Sequence, residues 1–252
     1  MLPDYFDAFP NIALKRTDSG VLEVRLHSHG GPFLYSASAR TQLLGAFQRL
    51  GADRANRVVI LTGTAQSWCE GFDRSPEVSP DPSLTVAERW DIQFWEGRRL
   101  MQAILDVDAP MIAAVNGPAL IHSEYILTCD IILASEAAAF QDLPHLTYGV
   151  SPTDGMHVLW PYVLGPVRGR YFLLTQQKLN AAQALEFGVC SEVLAPDALL
   201  PRAYALAEKL ATQPDMTLRY ARLGLTQRLK KLVHDEMALG LAVESLSALS
   251  KG

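Results

Sequence analysis

The 252-residue sequence holds only three cysteines, Cys69, Cys129 and Cys190, far apart and odd in number. They cannot supply a disulfide framework, and they read as reduced, mostly buried thiols of a cytoplasmic protein. No CxxC or HExxH spacing occurs, so the sequence shows no metal-binding motif. No apolar run reaches the roughly 18 residues of a membrane span. The stretch Met1 to Pro10 carries neither the basic nor the apolar segment of a secretory signal. Positive charge is scarce, with 22 Lys and Arg against 27 Asp and Glu, a net charge of −5. A dedicated nucleic-acid binder would show a basic patch or stripe, so that class is set aside. What remains is 49% hydrophobic and 19% charged, enough apolar material for one large core.

Alternation of apolar and polar residues over Asn11–Arg16 and Val21–His27, around Thr17-Asp-Ser-Gly20, predicts a hairpin. Continuous apolar runs at 57–63 and 111–115 predict strands covered on both faces. Helical spacing predicts helices over 38–51, 86–105, 123–128, 168–174, 181–187, 199–213 and 215–249. Further strands are expected at 130–135 and 190–194, and Gly188 reads as a helix stop. Residues 74–83, with Pro76, Pro80 and Pro82, read as a surface excursion. Strands alternating with helices give an α/β chain with largely parallel pairing and a helical C-terminal third.

Two polar stretches interrupt this apolar scaffold. One is Asn116-Gly-Pro-Ala-Leu-Ile-His-Ser-Glu-Tyr125 and the other Phe140-Gln-Asp-Leu-Pro-His145, continuing through a Pro- and Gly-punctuated loop to Asp154-Gly155. Groups able to exchange protons thus fall on turns beside rigid elements, where catalytic residues tend to be held. Asp154 follows His145 by nine positions, 154 − 145, so a folded-back loop could pair the carboxylate with one imidazole nitrogen and leave the other for substrate. The same aspartate could equally cap the helix that follows; spacing alone leaves both open.

The order of motifs resembles the crotonase (enoyl-CoA hydratase/isomerase) superfamily over nearly the whole chain. The resemblance is carried by Val58-Val-Ile-Leu-Thr-Gly63, Ala113-Ala-Val-Asn-Gly-Pro-Ala-Leu120, Cys129-Asp-Ile-Ile-Leu-Ala134, Phe140 and Leu174 to Val189. It implies a crotonase-like spiral of ββα turns over 1–195, a helical trimerisation or lid region over 196–252, and trimers or dimers of trimers. Such enzymes stabilise an enolate oxygen with two backbone N–H groups. Here the usual glycine run is Ile121-His122-Ser123, the second donor site is Glu70-Gly-Phe-Asp73, and the two hydratase glutamates fall near Glu124 or Tyr125 and at His145. Hydration of an enoyl-CoA is therefore disfavoured, although a lyase or isomerase acting on a CoA thioester stays as the alternative.

The same departures are similar to one branch, 6-oxocamphor hydrolase and related β-diketone hydrolases. The matching residues are Val115-Asn-Gly-Pro118, His122, Phe140-Gln-Asp142, Pro144-His145, Asp154-Gly155, His157-Val158, Trp160-Pro161, Gly169 to Thr175, and Leu239-Gly-Leu-Ala242 with Glu244. The resemblance implies retro-Claisen hydrolysis of a cyclic or bicyclic 1,3-diketone to a keto acid. His145 and Asp154 would activate water, His122 would meet the substrate carbonyl or enolate, and Glu244 would orient water. Tyr35, Trp68, Phe72 and Arg40 are the expected substrate-binding residues; Tyr35 stands where the camphor enzyme has tryptophan and Arg40 where it has histidine. No metal or organic cofactor is expected, and the partner is the diketone itself. His157 reads as packing, Trp90 and Phe94 as ordinary core, and His27, His29 and His234 as surface or loop residues.

Overall fold

The computed structural model describes residues 3–78 and 81–250. Residues 79–80 of the Pro-containing segment lie outside them. In chain order the strands are β1 (Ile12–Arg16), β2 (Val21–Leu26), β3 (Leu34–Tyr35), β4 (Val58–Thr62), β5 (Gly71–Phe72), β6 (Met111–Val115), β7 (Pro118–Ala119), β8 (Ile131–Ser135), β9 (Ala139–Phe140), β10 (Leu179–Asn180) and β11 (Glu192–Leu194). The helices are α1 (Ala37–Ala52), α2 (Val86–Leu105), α3 (Pro144–Thr147), α4 (Met156–Leu164), α5 (Pro166–Leu174), α6 (Ala181–Glu186), α7 (Pro196–Ala211) and α8 (Asp215–Leu249). The expected helix at 123–128 is a 3-10 helix.

Six strands form one sheet in the order β1-β2-β4-β6-β8-β11, parallel throughout except for the β1–β2 hairpin. Each of β2, β4, β6 and β8 is followed by a short strand, β3, β5, β7 or β9. These short strands build a second layer, β3 beside β5 and β7 beside β9, joined by a bridge between Cys69 and Ala119. A long strand, a short strand and a return thus repeat along the chain, which is the expected spiral of ββα turns.

The central strands are buried on both faces, so they need no polar alternation. Val58, Ile60, Ile112, Ala114 and Leu133 point to one side, where α7 covers them with Leu199, Ala203 and Ala207. Val59, Leu61, Met111, Ala113 and Val115 point to the other, into the larger core beneath α1, α2 and α4. The period of two along each strand allots the residues to these faces. Helix α2 begins at a capping box in which Thr85 and Glu88 satisfy each other's backbone N–H groups.

Helix α8 runs back across α2 and α4. It is pinned by Arg222, whose Nε donates to Asp130 at 2.7 Å while its terminal nitrogens donate to the carbonyls of Leu105, Val107 and Thr128. Gly240 lets α8 come close: a Cβ there would lie 2.2 Å from the Thr153 carbonyl oxygen and 2.4 Å from the His157 ring. That contact brings the C-terminal part of α8 against the loop carrying Asp154.

Candidate active site

The site begins at the end of β6. Asn116 donates to the carbonyls of Ala65 and Ser67, at 2.7 and 3.0 Å, and ties the 64–67 turn to this strand. After β7 the chain turns through His122, whose backbone adopts φ 50°, ψ 41°. This left-handed conformation costs a residue with a Cβ about 1–2 kcal/mol, a cost that glycine escapes. It also turns the imidazole toward Glu124, which is fully buried in the following 3-10 turn. His122 Nδ1 lies 2.7 Å from Glu124 Oε1, and the ring is stacked on Tyr125 at 5.1 Å with Tyr35 against it at 3.8 Å. His122→Gly and His122→Ala lose the same contacts but differ in backbone freedom. The glycine variant is expected to be about 1 kcal/mol more stable after glycine's extra unfolded-state freedom is deducted. Equal urea midpoints would contradict strain at this residue.

The second imidazole comes from α3, a single turn started by Pro144. His145 Nδ1 lies 2.6 Å from Asp142 Oδ1, one turn earlier. Its Nε2 lies 3.5 Å from Asp154 Oδ2 and 3.9 Å from Glu244 Oε1. Asp154 is set by Gly155, whose φ of 125° a side-chain-bearing residue rarely adopts. The helix-capping role open for Asp154 is not taken, because α4 has no side-chain cap. Instead Asp154 Oδ2 lies 3.5 Å from both His122 Nδ1 and His145 Nε2. Carboxylates and imidazoles therefore alternate in one chain: Glu124, His122, Asp154, His145, Asp142. Glu244 joins at Asp154's end of His145 and accepts from Gln93 Nε2 at 3.0 Å.

This chain departs from the expected dyad. The expectation left one His145 nitrogen free for substrate; instead Asp142 occupies Nδ1, and Asp154 and Glu244 face Nε2. Burial opposes charge on His145, but the Asp154 charge and the Asp142 hydrogen bond outweigh it, and the imidazole is pushed up to about 11. Burial would likewise raise Asp154, yet the His145 charge dominates and holds its carboxyl well below the usual range. Glu244 is pushed up to about 9 by burial, reinforced by the Asp154 charge. Burial raises Glu124 as well, the neighbouring His122 offsetting part of it. Neutral Glu244, imidazolium His145 and anionic Asp154 are the forms favoured at pH 7.

These groups open into a cavity of about 210 Å³ between α1, α2, the 3-10 turn and α8. Tyr35, Phe72 and Arg40 line it as expected. Trp68 does not: it is 1% exposed and packs within the core, because the turn tied down by Asn116 carries it inward and its backbone N–H donates to the Pro118 carbonyl. Trp90 lies on the cavity wall rather than in the core, with Gln93 and Gly97 following it on the same face of α2. That spacing, three then four residues, is a helical stripe visible in the sequence. Asp142 was legible by the same rule, three residues before His145. Phe94 packs on the core as expected, and His157 sits half-buried beneath Gly240. Two sets, His122 with Glu124 and Asp154, and His145 with Asp154 and Glu244, place ligand atoms within 4.8 Å of one another, close enough to hold a cation. Motif spacing could not show these sets, because distant loops bring them together.

Residues 16–244 match the family model for enoyl-CoA hydratase/isomerase. The chain belongs to this family. The 2,3-dehydroadipyl-CoA hydratase of Escherichia coli is 30% identical over 74% of this enoyl-CoA hydratase/isomerase family member and 70% of its own length. Among solved structures, a β-diketone hydrolase from the cyanobacterium Anabaena sp. PCC 7120, bound to (S)-3-oxocyclohexyl acetic acid, is 47% identical with a TM-score of 0.94. The match covers 99% of this chain and 98% of that one. An enoyl-CoA hydratase/isomerase from Mycobacterium paratuberculosis shares the fold at 24% identity, TM-score 0.84, over 95% and 94% of the two chains. No helix of this family member, among the described residues, is long and apolar enough to cross a membrane.

Proposed function

We propose that the protein is a β-diketone hydrolase that cleaves a C–C bond of a cyclic or bicyclic 1,3-diketone, of the kind 6-oxocamphor hydrolase uses, by retro-Claisen hydrolysis. The observation that carries this reading is the alternating chain of three carboxylates and two imidazoles at the cavity wall, centred on Asp154. A hydratase needs two glutamates facing an enoyl thioester; here one of those places is His145. The 47% identical relative, crystallised with a keto acid, supports the same chemistry.

With His145 in its neutral form, which rising pH populates, water held near His145 Nε2, Asp154 and Glu244 gives a proton to that imidazole, and its oxygen attacks one carbonyl carbon. The tetrahedral intermediate collapses with cleavage of the bond to the carbon between the carbonyls. The ring opens, one end becoming a carboxylic acid and the other an enolate of the second carbonyl, within one molecule. His122 Nε2, which has no protein partner among the described residues, meets the enolate oxygen, and the stored proton returns to the enolate carbon. Diketone plus water becomes keto acid, with no electrons left over. Trimeric assembly is part of the proposal; exposed Tyr220, Leu223, Leu225, Leu239 and Leu246 along α8 support a buried interface there.

The test offers purified protein a bicyclic 1,3-diketone and crotonyl-CoA side by side. Loss of the diketone with appearance of a keto acid supports the hydrolase reading. Turnover of crotonyl-CoA alone would return the protein to thioester chemistry.

A further inference from the structure

Arg40 is a cation in an unusual place. It lies in the first turn of α1, where the helix dipole disfavours positive charge and no acidic residue offsets it. It is also 7% exposed. Its one side-chain hydrogen bond among the described residues runs from Nε to Glu96 Oε2 at 2.8 Å. The other Glu96 oxygen is taken by the Thr41 hydroxyl at 2.7 Å. A guanidinium has five N–H donors, so the terminal nitrogens have no protein acceptor among the described residues. Arg40 lines the cavity beside Tyr35.

The charges around the cavity are unevenly placed. Asp154 lines it as an anion beside the imidazolium of His145, Glu244 lines it in its neutral form, and Arg40 lines it from α1. Arg40 is the one lysine or arginine lining it among the described residues. An anionic group on a ligand is turned away from the Asp154 carboxylate by like charge and drawn to the guanidinium edge of Arg40, which accommodates a carboxylate through two parallel hydrogen bonds. The cavity is smaller than the ~300–1,000 Å³ of sites for drug-sized ligands, so that ligand is compact.

We propose that the substrate is a small cyclic 1,3-diketone that itself carries a carboxylate, with Arg40 receiving this group while the two carbonyls meet His122 and His145. The inference rests on the diketone reading and adds the substrate's charge to it. Arg40 is then a specificity residue, orienting the ring so that one of two carbonyls meets water.

The test compares three probes: a neutral bicyclic 1,3-diketone, its ring-carboxymethyl derivative and the methyl ester of that derivative. Wild-type enzyme is expected to favour the acid over the ester by roughly 10–100-fold in kcat/KM, the worth of charged hydrogen bonds. Arg40→Met alone strands a buried Glu96, so the double variant Arg40→Met/Glu96→Gln is measured beside it, with circular dichroism as the check on folding. In the double variant the acid-to-ester ratio is expected to fall to about one. An ester used as well as the acid by the wild type overturns the inference, as does a preference that survives the double substitution. Cleavage of the neutral diketone in those cases leaves the hydrolase reading standing. Failure to cleave all three probes overturns both.

Discussion

His145→Ala and Asp154→Asn are each expected to lower kcat for diketone cleavage by about 10²–10⁴-fold, the usual worth of general acid–base catalysis. His145 holds the water proton, and among the described residues Asp154 is the one carboxylate that reaches both imidazoles. Losing Asp154 therefore disconnects His122 from His145 as well as removing a charge. The pH profile gives the matching sign. Only neutral imidazole accepts a proton, and the surrounding carboxylates hold the charged form of His145 up to about 11. The rate is expected to keep rising with pH beyond the ordinary imidazole range near ~6.5. Asp142→Asn removes one of those charges and is expected to shift the rising limb to lower pH. Near-wild-type cleavage by both single variants, or a profile already flat above pH ~6.5, would contradict these roles.

Arg222→Ala is expected to destabilise the protein by about 3 kcal/mol, the combined cost of a half-open ion pair and of buried carbonyls that lose their donor. The side chain is 1% exposed, and its loss leaves the Asp130 carboxylate with the Met111 N–H at 2.7 Å as its remaining partner. It also strips donors from the carbonyls of Leu105, Val107 and Thr128. These contacts bind α8 to the ends of α2 and β8, and α8 carries Glu244. The urea midpoint measures the loss. Arg222→Met/Asp130→Asn, which removes both charges, is expected to recover part of it. An unchanged midpoint in the single variant would mean that α8 is held by its apolar contacts alone.

Most of the fold was legible because its strands are short apolar runs and its helices are periodic. Met111–Val115 and Asp215–Leu249 fall on their expected boundaries. His122 stood out because it replaces a glycine, His145 and Asp154 because they are proton-exchanging groups on a loop between apolar segments, and Glu244 was reached only through the resemblance to the β-diketone hydrolases. Asp142 was open to the three-residue rule. Glu124 was not: two residues along a helix do not face each other, and only the left-handed backbone at His122 joins the two side chains. Trp68 misleads for a similar reason. Its loop reads as a pocket rim, yet Asn116, nearly fifty residues later, folds that loop inward. The burial of these charges depends on contacts between distant segments, which no local pattern records.

The most direct test of diketone hydrolysis is cleavage of a neutral bicyclic 1,3-diketone in ¹⁸O-labelled water, read by mass spectrometry of the product. The expected product is a keto acid with one labelled oxygen, carried in its new carboxylate and not in its ketone. An unchanged diketone under conditions where crotonyl-CoA takes up the label would contradict C–C hydrolysis and place the chemistry with the thioester enzymes of the family.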